Sequence, residues 1–214
     1  MFTLREWQRN PKHKPNLIIN ASAIDGSDSP QKFPIGMCFQ YMKFLDLETQ
    51  LGQHTDLVFC GLRETTDTVR RNKGQNRTSI VRTLSSNGIQ NMVLSPSEYF
   101  TQLPNYKFVI SPEGNGVDCH RHYEALMAGC IPVVEHSEHI REVYGNCPIL
   151  YTTDYSEITT EYLEKKYDEM IDIKYDFSKL FVSYYPQEIQ TEIRRNSSFW
   201  TLSVLPKKIR WGIK

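Results

Sequence analysis

Residues Ser111 to Val134 read SPEGNGVDCHRHYEALMAGCIPVV, and their order decides the fold. Tyr106 to Ile110 (YKFVI), just before them, is aromatic and β-branched, the pattern of a buried strand. Gly114 and Gly116 then free the backbone for a tight turn. Asp118 is placed as a helix N-cap and Gly129 as a helix C′ residue. Between them the spacing predicts a helix of about three turns, with Ile131 to Val134 as the next strand. Working outward, further strands are predicted at residues 16–21, 56–60, 91–94 and 148–151. Helices are predicted over 35–51, 78–86, 95–103, 137–144 and 156–171, and over 175–195 with a break at Pro186. Residues 1–15 read as a polar arm, and 23–34 as a loop. Strand and helix alternate through the middle of the chain. That predicts an α/β fold: a Rossmann-like, doubly wound parallel sheet with right-handed crossovers.

A glycine loop feeding a helix N-terminus is a ready anion site, because free N–H groups and the helix dipole converge on one spot. Arg121, in the first turn, adds a fork of donors suited to phosphate. Glu124 lies one turn further on the same face, where a carboxylate can accept from a ribose diol. The plainer readings are a simple strand-to-helix connection and a Glu124–Arg121 pair on a solvated face. Arg63 and Arg77 bracket a basic stretch after the 56–60 strand. It is either a solvated loop or a source of cations for a diphosphate, since the ligand crevice lies at the carboxyl ends of parallel strands. His120 and His122 diverge on a helix, and His136 and His139 match no zinc spacing, so no metal site is expected. His120 is instead assigned to the donor pocket. Asp25 and Asp28 follow the first strand; they make either a turn or the general base that deprotonates an acceptor hydroxyl.

The 111–134 stretch resembles the nucleotide-sugar-binding lobe of GT-B glycosyltransferases, above all the exostosin-like group, whose short members include enzymes of large DNA viruses of algae. The match lies in Ser111, Pro112, Gly114, Asn115, Gly116, Arg121, Glu124 and the run Gly129-Cys130-Ile131-Pro132-Val133-Val134. The resemblance implies that Arg121 meets the donor diphosphate and Glu124 the donor ribose. Glu113, Gly114, Asn115, Gly116 and Asp118 are candidates for the donor cradle, with Glu113 either contacting the sugar or simply fixing the turn, and the resemblance puts the nucleobase near Leu94, Ser95 and Tyr99. It further implies transfer from a nucleoside-diphosphate sugar to a glycan or glycoprotein hydroxyl without a metal cofactor. UDP is favoured, with UDP-xylose as one example and a GDP-sugar as an alternative. Residues 51–214 would form the donor domain with its C-terminal helices, and 1–50 a reduced acceptor side. Two other classes stay open: a non-catalytic nucleotide-sugar-binding lobe, and another Rossmann-type enzyme. Against a dinucleotide oxidoreductase, no G-x-G-x-x-G follows the first strand.

Composition fits this reading. The chain has 214 residues, 39% hydrophobic and 23% charged, in the range of a globular domain. Its 25 basic and 25 acidic residues balance, so charge makes no case for nucleic-acid binding. No apolar run reaches membrane-span length. The N-terminal residues lack the apolar core of a signal peptide, and the five cysteines form no C-x-x-C pair. Reduced thiols and a cytoplasmic location are expected. Composition says nothing of oligomeric state.

Overall fold

A computed structural model describes residues 1–8, 19, 32–38, 52–68, 71 and 75–204, with 8 and 196–204 as backbone only. Four parallel strands form one sheet in the order β1-β2-β3-β4. They are β1 (Asp56–Phe59), β2 (Tyr106–Ile110), β3 (Ile131–Glu135) and β4 (Leu150–Thr152). The helices are α1 (Leu4–Gln8), α2 (Arg77–Ser86), α3 (Pro96–Gln102), α4 (His120–Met127), α5 (Glu138–Tyr144), α6 (Thr160–Met170) and α7 (Gln187–Val204).

Phe59 sits opposite Val109, and Val58 opposite Phe108. Phe59 and Val109 share one face with Tyr99 and Leu103, and the Phe59 and Tyr99 ring centroids lie 5.5 Å apart. Phe108 and Ile110 face the other, larger core, where Phe108 meets the ring of Tyr167 in α6 at 6.2 Å. Helices therefore cover both faces, which is why β2 and β3 are continuous apolar runs rather than alternating ones. The fold is the predicted Rossmann-like α/β class.

Local sequence signals place the helices. Asn76 and Ser79 form a capping box at α2, as Ser95 and Glu98 do at α3 with Pro96 in the first turn. Helix α4 ends in a Schellman motif: Cys130 N–H donates to Ala125 O at 2.9 Å and Gly129 N–H to Leu126 O at 3.1 Å. Gly129 takes φ +80°, the left-handed conformation foreseen for it.

Four expectations are corrected. Residues 91–94 are not a strand. Asn91 faces Leu62 with its side-chain amide, accepting from its N–H at 2.6 Å and donating to its carbonyl at 3.0 Å, so a side chain does the pairing. Residues 35–38 are not helical; Gly36 has φ +81° and Met37 N–H donates to Ile19 O at 2.7 Å. The rest of that predicted helix and most of the 16–21 strand lie outside the described residues. Residues 1–8 are not a solvated arm. Phe2 and Tyr175 exchange backbone hydrogen bonds at 2.9 and 2.8 Å, and Trp7 stacks on Phe177 at 4.1 Å while its indole N–H donates to Leu126 O at 3.0 Å. Residues 175–186 form two 3₁₀ turns, at Ser178–Leu180 and Val182–Tyr184, and α7 begins only after Pro186. All five cysteines are free thiols. Among the described residues no helix is long and apolar enough to cross a membrane.

Candidate functional site

The loop from Ser111 to Cys119 leaves the carboxyl end of β2 and delivers the chain to α4. Arg77 shapes it from inside: Nε donates to Glu113 O at 2.9 Å and Nη2 to Pro112 O at 3.1 Å. Gly114 suits this clamp, because a Cβ there would lie a tight 3.0 Å from Arg77 Nη2 and the guanidinium would have to shift. Gly114 N–H then donates to Gly116 O at 3.0 Å and closes the turn. Neither glycine needs a positive φ; close approach is the reason for Gly114. Asn115 is exposed at the loop tip.

Arg121 occupies the first turn of α4. Its Nη2 donates to Gly61 O at 2.7 Å, just beyond the end of β1. Its Nε and Nη1 are buried and find no hydrogen-bond partner among the described residues. The guanidinium lies 5.6 Å from the centre of the Tyr99 ring. Burial opposes its charge, and Tyr99, Cys119 and Glu124 more than restore it. A cation with two unused buried donors, at a helix N-terminus, is a site waiting for acceptor oxygens.

Glu124 is 2% exposed, so it is not the solvated partner of Arg121 that helical spacing also allowed. It accepts from Cys38 N–H at 3.2 Å and from the Tyr99 hydroxyl at 3.1 Å. Burial pushes its carboxyl up to about 7, against the pull of Arg121, Cys38 N–H and Tyr99.

Asp118 is not the N-cap. Cys119 holds that position without a side-chain bond, because the Asp118 carboxylate is committed elsewhere. It accepts from Ile35 N–H and from the Tyr144 hydroxyl, each at 2.8 Å, and lies 3.2 Å from His122 Nδ1. His122 Nε2 faces Ser111 O at 2.9 Å, so both ring nitrogens meet acceptors and His122 is an imidazolium. Burial alone would lower its pKa; Cys119 and Asp118 raise it to about 10. His120 differs. Its Nδ1 faces Gly36 O at 2.7 Å and therefore carries the proton, while burial holds the ring below its ordinary pKa.

Tyr99 is buried on α3. Leu94 is partly buried beside it, and the Ser95 side chain caps α3 by accepting from Glu98 N–H at 3.3 Å. Arg63 is exposed beyond the end of β1. Asp25 and Asp28 lie outside the described residues. Among the described residues no group of three or more His, Cys, Asp or Glu side chains is arranged to hold a metal ion.

Sequence reasoning missed two groups. The first is the backbone of residues 35–38, which meets Asp118, His120 and Glu124 in turn; no local pattern announces it. The second is Asp67 with Arg71, joined at 2.9 Å and continuing to Glu135 at 2.7 Å. Their i,i+4 spacing was the available signal.

Fold and site together define a Rossmann-like α/β protein in which Arg121 keeps two buried donors unsatisfied among the described residues, close to the carboxyl end of β1. The chain belongs to the RXYLT1 C-terminal domain family, whose model matches residues 61–195. That is a glycosyltransferase family. No curated protein matches the chain.

Proposed function

We propose that the protein transfers a sugar from a nucleoside-diphosphate sugar to a glycan hydroxyl, by GT-B type chemistry that needs no metal ion. UDP is the favoured nucleotide and xylose the favoured sugar, in keeping with the xylosyltransferase-related family. The observation that carries the reading is Arg121. Two of its donors find no partner among the described residues and lie beside a glycine loop, where a diphosphate would supply the missing acceptors. As the leaving group gains charge, Arg121 and the N–H groups at the head of α4 stabilise it without reorganising. The buried imidazolium of His122 adds positive charge behind the loop.

Glu124 takes the ribose, sharing its oxygens between ligand, Tyr99 and Cys38. Ser95 and Leu94 border the nucleobase, with Tyr99 closing the pocket wall. Arg77 acts through the loop it holds, and Arg63 stands at the crevice edge. His120, with its proton on Nδ1, is assigned to the wall of the donor pocket. Asp25 and Asp28 are the other candidates for the acceptor base. Residues 1–50 are proposed as the acceptor side, a reading supported by the contacts of Gly36 and Cys38 with His120 and Glu124 of α4.

The test is a melting panel with UDP, GDP and NAD, followed by transfer assays with UDP-sugars after exhaustive EDTA treatment. Stabilisation by UDP and EDTA-resistant turnover are expected. Stabilisation by NAD alone overturns the reading; UDP binding without transfer or donor hydrolysis leaves a non-catalytic lobe.

A further inference from the structure

A second set of unsatisfied polar atoms lies on the other side of the glycine loop. Arg71 joins three carboxylates: Asp67 at 2.9 Å, Glu135 at 2.7 Å and Glu113 at 3.8 Å. Glu113 N–H donates to Glu135 Oε2 at 2.8 Å, which ties the end of β3 to the start of the loop. Arg77 N–H donates to Asp67 Oδ2 at 3.0 Å. Asp67 has a side-chain exposure of 0%, and Tyr155 is also 0% exposed. Yet Asp67 Oδ1, Arg71 Nη2 and the Tyr155 hydroxyl are buried without a hydrogen-bond partner among the described residues. The group reaches the surface through Arg71, Glu135 and Glu113, whose side chains are 12%, 13% and 17% exposed.

These orphans select a ligand by elimination. A phosphate offers only acceptors, and Asp67 Oδ1 would repel it. A metal cation would be repelled by Arg71. A hydroxyl group donates to Asp67 Oδ1 and accepts from Arg71 Nη2, and a neutral polyol carries several such groups. Burial and the neighbouring Glu135 hold the Tyr155 phenol protonated, so it adds a further donor. We propose that Asp67, Arg71 and Tyr155, with Glu113 and Glu135, bind the hydroxyl groups of the donor's sugar ring. This rests on the donor reading above. The group adjoins the loop through Glu113, whereas Tyr99 and Glu124 stand beyond Arg121, so the diphosphate would separate sugar from nucleoside.

The test is calorimetry of the full chain with UDP and with UDP-xylose. The wild type should bind UDP-xylose more tightly than UDP. Asp67→Asn and Tyr155→Phe should each keep wild-type affinity for UDP and lose about tenfold for UDP-xylose, as expected for a lost bond to a charged or buried polar group. Among the described residues the Tyr155 hydroxyl has only the neighbouring Glu135 to lose and no formed hydrogen bond, so Tyr155→Phe should melt close to the wild type; it keeps the test open if Asp67→Asn does not fold. Equal losses for both ligands would mean that the group only supports the loop. UDP-xylose affinity unchanged in both variants would mean that it holds water alone. Intact UDP-xylose affinity with a raised acceptor KM would move the group to the acceptor. Each of these overturns the proposal, as does a wild type that binds UDP but gains nothing from xylose, galactose or glucosamine heads. A wild type without UDP affinity overturns the donor reading itself.

Discussion

The Tyr99 hydroxyl donates to Oε2 of Glu124 at 3.1 Å and so joins α3 to α4 inside the protein. This carboxyl titrates far from its usual range. Burial pushes it from the ordinary 4.5 up to about 7. Between those values the folded protein holds a proton that the unfolded chain releases, so stability falls as pH rises from about 4.5 to 7. Urea denaturation at pH 5 and pH 8 should show that loss in the wild type and a flatter profile in Glu124→Gln. UDP affinity should run the other way, rising through pH 7 as the carboxylate forms and accepts ribose hydroxyls. Identical pH profiles for wild type and Glu124→Gln would remove Glu124 from both roles.

Arg121→Ala gives up one bond to Gly61 O and the contact with the Tyr99 ring, and removes two buried donors that have no hydrogen-bond partner among the described residues. The unliganded variant should therefore melt close to the wild type. Its UDP affinity should drop by about 1.5–3 kcal/mol, the worth of charge-assisted bonds. Arg121→Lys should recover part of this, since it keeps the charge without the fork. A variant that unfolds readily yet binds UDP normally would make Arg121 a purely structural residue.

His122 sits between Asp118 and Ser111 with both nitrogens donating. Replacing it by Phe takes the cationic partner from the Asp118 carboxylate, which keeps only Ile35 N–H and the Tyr144 hydroxyl, and removes the donor to the Ser111 carbonyl. A broken buried pair of this kind costs about 3–5 kcal/mol. Denaturant unfolding should register that loss, and Tyr144→Phe, which removes one donor to the same carboxylate, should cost less.

Two glycines with similar backbone angles should respond very differently to alanine. Gly36 has φ +81°, and a Cβ there would stand 2.1 Å from Ile19 O. Gly88 has φ +83° and nothing within 4 Å of that Cβ. Gly88→Ala should cost only the left-handed backbone preference, about 1–2 kcal/mol. Gly36→Ala should cost distinctly more and expose residues 35–38 to protease. Equal costs would mean that the 19–36 contact gives way freely.

Where a feature depends on near neighbours in the chain, the sequence was readable. The Ser95–Glu98 capping box, the left-handed Gly129 and the apolar runs of β2 and β3 all follow from adjacent residues. Asp118 shows the boundary. Its residue type favours an N-cap, but Ile35, Tyr144 and His122 compete for the same carboxylate, and two of them come from other elements. Glu124 shows it again: helical spacing puts it one turn from Arg121, while its burial depends on Tyr99 and Cys38. Asp67 and Arg71 look like any charged pair in a polar loop, because nothing local distinguishes a solvated pair from a covered one.

The stitches between α4 and the N-terminal part also set an order of events. Ile35 to Asp118, Cys38 to Glu124 and Ile19 to Tyr123 are separated by 83, 86 and 104 residues. Closing loops of that length is entropically costly and slows folding relative to local contacts. Helices α2 and α3, with their own capping boxes, can form early, whereas Glu124 reaches its final surroundings only when these distant pieces meet. During synthesis residues 35–38 emerge well before the helix they dock against. Completion of the Glu124 end of the candidate site is thus a late step of folding, timed by chain order rather than by helix strength.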